Sequence, residues 1–215
     1  MKEDIFKSIR EALMNGDREA VARLVKSAVD SGAEIRDIMD NALIAAMDVV
    51  GKKFKANEIF IPEVLISAKA MHAGIAVLEP HFLKCGIKPA GRVIIGTVKG
   101  DLHDIGKNIV SMMFKGACFE IEDLGIDVSP QKFVDSAKAK GADIIAMSSL
   151  LTTSMNSMKE TIKALTAAGL RDKVKIMVGG APVTQDFANA IGADSYAKDA
   201  ATAVDKAKEL LTGAR

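Results

Sequence analysis

Two contrasting patterns predict the fold class. Up to about residue 84, apolar residues recur at helical spacing. From Arg92 onward, short apolar runs alternate five times with longer helical patterns. Between them, Cys85 to Gly91 holds Gly86, Pro89 and Gly91 and reads as a linker. The prediction is an N-terminal four-helix bundle followed by an α/β domain. The α/β part is expected to be a flavodoxin-like or Rossmann-type, doubly wound, five-stranded parallel sheet of order 2-1-3-4-5. The expected domains are residues 1–88 and 89–215.

In the bundle, Ile5, Ile9, Ala12 and Leu13 form a first stripe. Asn15-Gly16-Asp17 breaks it, with Asp17 as N-cap of the next helix. Ala20, Leu24, Val25 and Ala28 form a second stripe, ended by Ser31-Gly32. Ile35, Ile38, Met39, Ala42, Leu43, Ala46, Met47 and Val50 form a third. Gly51 to Glu58 is read as a polar break. A long fourth helix starts near Ile61-Pro62, where proline is tolerated in the first turn, and carries Val64, Leu65, Ala68, Met71, Ile75 and Leu78.

In the α/β part, the expected strands are Arg92–Val98, Phe119–Leu124, Asp143–Met147, Lys175–Val178 and Ser195–Tyr196. The expected helices are Gly106–Lys115, Ser129–Lys140, Thr152–Ala168, Thr184–Ala190 and Asp199–Leu211. In a sheet of this order the crevice lies beyond the C-terminal ends of strands one and three. The loop after strand one carries Asp101 and His103, and the loop after strand three is the hydroxyl-rich run Ser148 to Ser154. The two most unusual loops therefore meet where this fold holds ligands.

Composition excludes several classes. With 29 basic and 28 acidic residues in 215 and no long run of one sign, nucleic acid is not an expected partner. Eight Phe, one Tyr and no Trp leave little for base stacking. No apolar stretch is read as long enough to span a bilayer, the N-terminus is unlike a signal peptide, and no membrane partner is expected. Cys85 and Cys118 form no metal-type pair and are read as ordinary thiols of a cytoplasmic protein.

The chemistry concentrates in Gly100-Asp101-Leu102-His103-Asp104-Ile105-Gly106. A carboxylate two residues before an imidazole is placed to fix its tautomer and raise its basicity. Gly100 and Gly106 are expected to let the backbone turn and something large approach. A loop histidine is otherwise a capping or core residue. His72 and His81, nine residues apart on the fourth helix, are read as partly exposed helix residues. With no second His or Cys to complete a site, a single imidazole implies a metal that brings its other ligands in a macrocycle, either haem or corrin. Thr152 or Thr153 is expected to cap the following helix.

Asp101-x-His103-x-x-Gly106 resembles the signature of cobalamin-binding domains. Ser148-Ser149-Leu150 is similar to that family's Ser-x-Leu, and Gly179-Gly180 to its Gly-Gly after strand four. Tyr196-x-x-Asp199-Ala200 resembles the positions that close over the cofactor's nucleotide tail. In the bundle, Phe54 to Pro62, Ser67 to Met71 and Leu78-Glu79-Pro80 resemble the cap region of methionine synthase.

The resemblance implies that His103 replaces the cofactor's own base as lower ligand of cobalt. It implies a relay of His103, Asp101 and Ser154 that couples ligation to protonation. Ser148 and Thr152 would contact the buried nucleotide base, and Gly100, Leu102, Asp104, Ile105, Gly106 and Leu150 would also bind the cofactor. Gly179, Gly180, Tyr196 and Ala200 would hold the tail, and Phe54 and Ile61 would cover the upper face. The chain as a whole looks like a stand-alone corrinoid protein of methyltransferase systems, carrying methylcobalamin or a related corrinoid.

Such a carrier takes a methyl group from a substrate-specific methyltransferase, of methanol, methylamine, betaine or methoxyaromatic type. It passes the group to a second methyltransferase acting on a thiol or pterin, is reactivated by a reductive activase, and is not catalytic alone. Cys85 to Gly91 would be the hinge of the lid. The other readings are a cobalamin-binding sensor or regulatory module, and the small subunit of a cobalamin-dependent mutase.

Overall fold

A computed structural model describes residues 2–85 and 89–213. The chain divides into two compact units, residues 1–89 with 115–118, and residues 90–114 with 119–215. Of the expected hinge, Gly86, Ile87 and Lys88 lie outside the described residues.

The first unit is helical: α1 (Lys2–Met14), α2 (Arg18–Asp30), α3 (Ile35–Ile38), a π-helical turn (Met39–Ile44), α4 (Ala45–Lys55) and α5 (Ile61–Cys85). Asp17 caps α2 by accepting the Ala20 N–H. All eight apolar residues of the third stripe are buried. They do so along one continuous helical rod, in which the π turn joins α3 to α4. The buried stripes of α1 and α2 are rotated slightly from expectation: Phe6 and Val21 are in the core, whereas Ile5, Ala20 and Leu24 are only half-buried.

The polar break is shorter than expected. Gly51 to Lys55 remain helical, and only Ala56 to Phe60 connect α4 to α5. Lys52, Lys53 and Lys55 stand in the last turn of α4, where cations complement the helix dipole. A second correction concerns α5. Its segment Ile61–Leu78, of mean hydropathy 1.4, is long and apolar enough to cross a membrane by length and composition. The physical reason is a core role. Ser67, Ala68, Ala70, Met71 and Leu78 are buried, and a Cβ on Gly74 would stand 2.8 Å from Leu43 Cδ2.

The second unit contains β1 (Arg92–Thr97), α6 (Ile105–Gly116), β2 (Glu120–Asp123), α7 (Pro130–Lys140), β3 (Ile144–Ser148), α8 (Met155–Ala167), β4 (Lys175–Gly179), α9 (Gln185–Ile191), β5 (Ser195–Ala197) and α10 (Ala200–Thr212). The sheet is parallel, in the expected order β2-β1-β3-β4-β5. Both faces are buried, as βαβ crossovers require. Ile94, Ile145, Ile176 and Val178 face a core that includes Phe133, Met158 and Leu165. Val93, Ile95, Ile144 and Met177 alternate to the other side and are equally buried. Gly96 makes room within β1, since a Cβ there would stand 2.9 Å from the Phe133 ring. Ser129, Thr184 and Asp199 cap α7, α9 and α10 through side-chain oxygens. In the register of β1 and β3, Thr97 lies beside Ser148. The loops that follow these two strands therefore emerge side by side.

Candidate functional site

Asp101 is the centre of these loops. It is fully buried, yet it is a carboxylate. Its Oδ1 accepts the His103 backbone N–H at 3.0 Å and faces His103 Nδ1 at 2.9 Å. Its Oδ2 accepts the Leu150 N–H at 2.6 Å, the Leu151 N–H at 3.3 Å and the Ser154 hydroxyl at 3.1 Å. Burial alone pushes this carboxyl up. The N–H groups of His103 and Leu150, then the His103 ring and the Ser154 hydroxyl, outweigh it and bring it down from 3.8 to about 2.

An ionised carboxylate only accepts, so the proton between it and the imidazole sits on Nδ1. His103 Nε2 is left as a lone-pair donor with no protein partner among the described residues. The imidazole is 55 % exposed. Among the described residues, no group of three or more His, Cys, Asp or Glu is placed to hold a metal ion.

The loop that presents His103 is braced from several sides. The buried Thr97 hydroxyl donates to the His103 carbonyl at 2.8 Å. Asp101 closes a turn on Val98, with Gly100 at φ +85, where a side chain would be strained. Asp127 Oδ1 accepts the Gly100 N–H at 2.7 Å. Gly106 has a different role from the one expected. It lies inside α6 with no left-handed φ, so it makes no sharp turn. What its lack of a side chain leaves is open space, with nothing within 4 Å of where a methyl group would stand.

The segments that follow β1, β2 and β3 also expose apolar side chains. Leu102 is 70 % and Ile105 72 % exposed, and Ile126, Leu150 and Leu151 are also exposed. Asp104 is exposed and binds Asn108 Nδ2 at 3.0 Å. A half-exposed imidazole in the same set of loops as these aliphatic residues is suited to a metal carried in a large, partly apolar ligand.

The other expected residues fall as follows. Ser148 ends β3 and is half-buried, and Thr152 is exposed. Neither Thr152 nor Thr153 caps α8. The cap position is Ser154, which makes no cap hydrogen bond because its hydroxyl is turned to Asp101. Gly179 and Gly180 end β4 and follow it. Gly180 has φ +129, and a Cβ there would stand 1.8 Å from the Ser149 carbonyl oxygen. The close approach that demands glycine is thus by the protein's own backbone. Tyr196 is half-buried in β5, and Ala200 is buried at the start of α10. Phe54 and Ile61 belong to the first unit, half-buried on α4 and exposed at the start of α5. His72 is exposed and His81 half-buried on α5, as expected.

Two residues at the site escaped the sequence reading. Ser149 is buried against Ser154. Lys107 is 2 % exposed and holds Asp123 at 2.5 Å and Asn108 Oδ1 at 2.6 Å. A cation in the first turn of a helix opposes the dipole. That misfit, at a lysine just before an apolar run, was the one available signal.

Comparison with known proteins shows the family. A B12 binding domain family model matches residues 91–205, and a second B12 binding domain model matches residues 5–79. A corrinoid protein of Desulfitobacterium hafniense is 42 % identical over 210 residues, covering 96 % of this chain and 97 % of that one. Dimethylamine corrinoid protein 1 of Methanosarcina mazei is 44 % identical over 214 residues, covering 99 % and 98 %. Among solved structures, the methanol:cobalamin methyltransferase complex of Methanosarcina barkeri contains a chain similar at TM-score 0.87 and 30 % identity, covering 99 % of this chain and 81 % of that one.

Proposed function

We propose that this chain, which belongs to the B12-binding domain family, is a corrinoid methyl carrier with His103 as the lower axial ligand of cobalt. The observation that carries the ligand assignment is the locked tautomer. Asp101 holds the proton on Nδ1, which leaves Nε2 as the lone-pair donor of a half-exposed ring, and Leu102, Ile105, Leu150 and Leu151 are exposed in the segments that follow the same two strands. One imidazole would suffice because a corrin brings its own nitrogen ligands to the metal, and its apolar rim would suit those four side chains.

When bound, the cobalt supplies the methyl-transfer chemistry. The chain's residues orient, shield and present it. Asp101 fixes the ring plane and the tautomer of His103. Ser154, Leu150 N–H and Leu151 N–H keep Asp101 ionised although it is buried. Gly100 and Gly106, with open space where a side chain would stand, would leave room for the cofactor. Ser148 and Thr152 contact the nucleotide base in this reading, and Gly179, Gly180, Tyr196 and Ala200 form the slot for its tail. Phe54 and Ile61 would shield the upper face in this reading, and the domains are residues 1–88 and 89–215.

The partners in this reading are a substrate-specific methyltransferase, a second methyltransferase acting on a thiol or pterin, and a reductive activase. A cytoplasmic location is part of this reading. The relatives include a dimethylamine corrinoid protein and a chain solved within a methanol:cobalamin complex. The test is to load the chain with cobalamin, reduce it, and pair it in turn with methanol- and methylamine-specific methyltransferases. Substrate-dependent methylation of the bound corrinoid by one of them is expected. Binding of cobalamin without methylation by any would leave a sensor or a mutase subunit as the better reading.

A further inference from the structure

The Asp101 carboxylate is linked to a second buried hydroxyl, at one remove from His103. Ser149 is 0 % exposed, and its Oγ lies 2.7 Å from Ser154 Oγ. Both hydroxyls also lie near the Leu151 carbonyl oxygen, Ser149 at 3.0 Å and Ser154 at 2.9 Å. Two hydroxyl protons therefore have three places to go: the short contact between the serines, the Asp101 carboxylate, and the Leu151 carbonyl.

Three considerations settle the order. A 2.7 Å contact between two oxygens must contain a proton, or lone pairs would face each other. The Leu151 carbonyl already accepts the Ser154 backbone N–H, so it needs neither hydroxyl. The remaining acceptor is a charge, and hydrogen bonds to ionised groups are roughly twice as strong as neutral ones. The favoured order is Ser149 to Ser154 to Asp101, with no heavy atom displaced. The opposite order, Ser154 to Ser149 to Leu151, would strip Asp101 of its only hydroxyl donor.

We propose that Ser149 is a positioning residue for His103: its hydroxyl donates to Ser154 and thereby holds the Ser154 proton on Asp101. The array then has four members rather than three, and it ends inside the protein. A donor that itself accepts a hydrogen bond is polarised and donates more strongly, by about 10–30 % per bond. Ser149 would therefore stiffen the carboxylate that orients the imidazole, without touching either the ring or the cofactor.

The test uses the full chain without cofactor, at fixed neutral pH, with 13C-labelled aspartate. The readout is the Asp101 side-chain carboxyl resonance in wild type, Ser149→Ala, Ser154→Ala and Ser157→Ala. Ser154→Ala should move it most, and Ser149→Ala should move it the same way by about 10–30 % of that displacement. Ser157→Ala removes a nearby hydroxyl bonded to the Lys99 carbonyl and should leave it unmoved. If Ser149→Ala loses its fold, Ser149→Cys keeps the volume but donates weakly, and the same direction is expected. An unmoved resonance in a folded Ser149 variant, alongside a moved one in Ser154→Ala, would overturn the proposal.

A second readout rests on His103 being the cobalt ligand. The cobalamin-loaded Ser149→Ala chain should show a smaller histidine-ligated fraction in its visible spectrum than wild type, and an equal fraction would count against Ser149. A wild-type chain that takes up no cobalamin would instead sink the functional reading and leave the first measurement intact.

Discussion

Replacing Asp101 with asparagine removes a charge that five donors have been arranged to meet. Burial tends to raise this carboxyl, but the hydrogen bonds from His103, Leu150 and Ser154 prevail and set it near 2 against an ordinary 3.8. A group whose folded value is depressed stabilises the fold above its unfolded value, and that stability is lost as pH falls through the folded one. The shift corresponds to roughly 2 kcal/mol, present in full above about pH 5, about half gone by about pH 3, and absent below about pH 1. Asp101→Asn loses this term at every pH. It also turns an NH2 group toward at least one buried donor, at a cost of about 1–3 kcal/mol more.

Tyr196 is the chain's one tyrosine, there is no tryptophan, and it stands in β5 of the α/β unit. Urea denaturation followed by its fluorescence therefore reports on the unit that holds Asp101. Wild type should exceed Asp101→Asn by about 3–5 kcal/mol at neutral pH, the difference narrowing by roughly 1 kcal/mol on acidification to about pH 3. A neutral-pH difference below about 0.5 kcal/mol, or one that does not change with pH, would refute the claim that the native carboxylate is held ionised.

Further outcomes follow from the same contacts. Gly180→Ala forces a methyl against the Ser149 carbonyl and should cost more than about 3 kcal/mol by thermal melting. Gly192→Ala has a left-handed φ of 77 but open space around it, and should cost only about 1 kcal/mol. Equal losses would show that steric approach is not what Gly180 serves. Lys107→Met leaves Asp123, a third exposed, without its cation and should destabilise the α/β unit by about 1–3 kcal/mol in urea, with Lys107→Arg recovering part. No loss in Lys107→Met would mean that its burial is incidental. Asp199→Ala removes the acceptor of the Thr202 N–H at 2.6 Å and should cost about 1 kcal/mol, against less than about 0.5 for Lys206→Ala on the same helix.

The sheet was legible because each strand is a short apolar run and each helix carries its own stop and start signals, such as Ser129 and Asp199. The His103 loop was legible because Asp101 and His103 are close in sequence, so a local pattern encodes a local hydrogen bond. What was illegible depends on tertiary contacts. Ser154 was reached only through the family resemblance, since by residue pattern alone it looks like any loop hydroxyl until β3 is laid beside β1 and its partner becomes Asp101, 53 residues away. Gly51 to Lys55 look like a break, with a glycine and three charges, yet packing of α4 carries the helix through them. The π turn leaves the apolar spacing of the third stripe intact and so has no signature in it. The apolar character of α5 exceeds what a single stripe conveys, because Ala70 and Gly74 bury a second side of the helix.

The most direct test of the account is the visible spectrum of the chain reconstituted with methylcobalamin, set against His103→Ala. His103 is largely exposed, so the variant should fold as wild type does and any change reports ligation. The account predicts that wild type binds the corrinoid with its own base displaced and a histidine in its place, and that His103→Ala shows no axial base at all. Identical spectra from the two proteins, or no bound corrinoid in either, would contradict it.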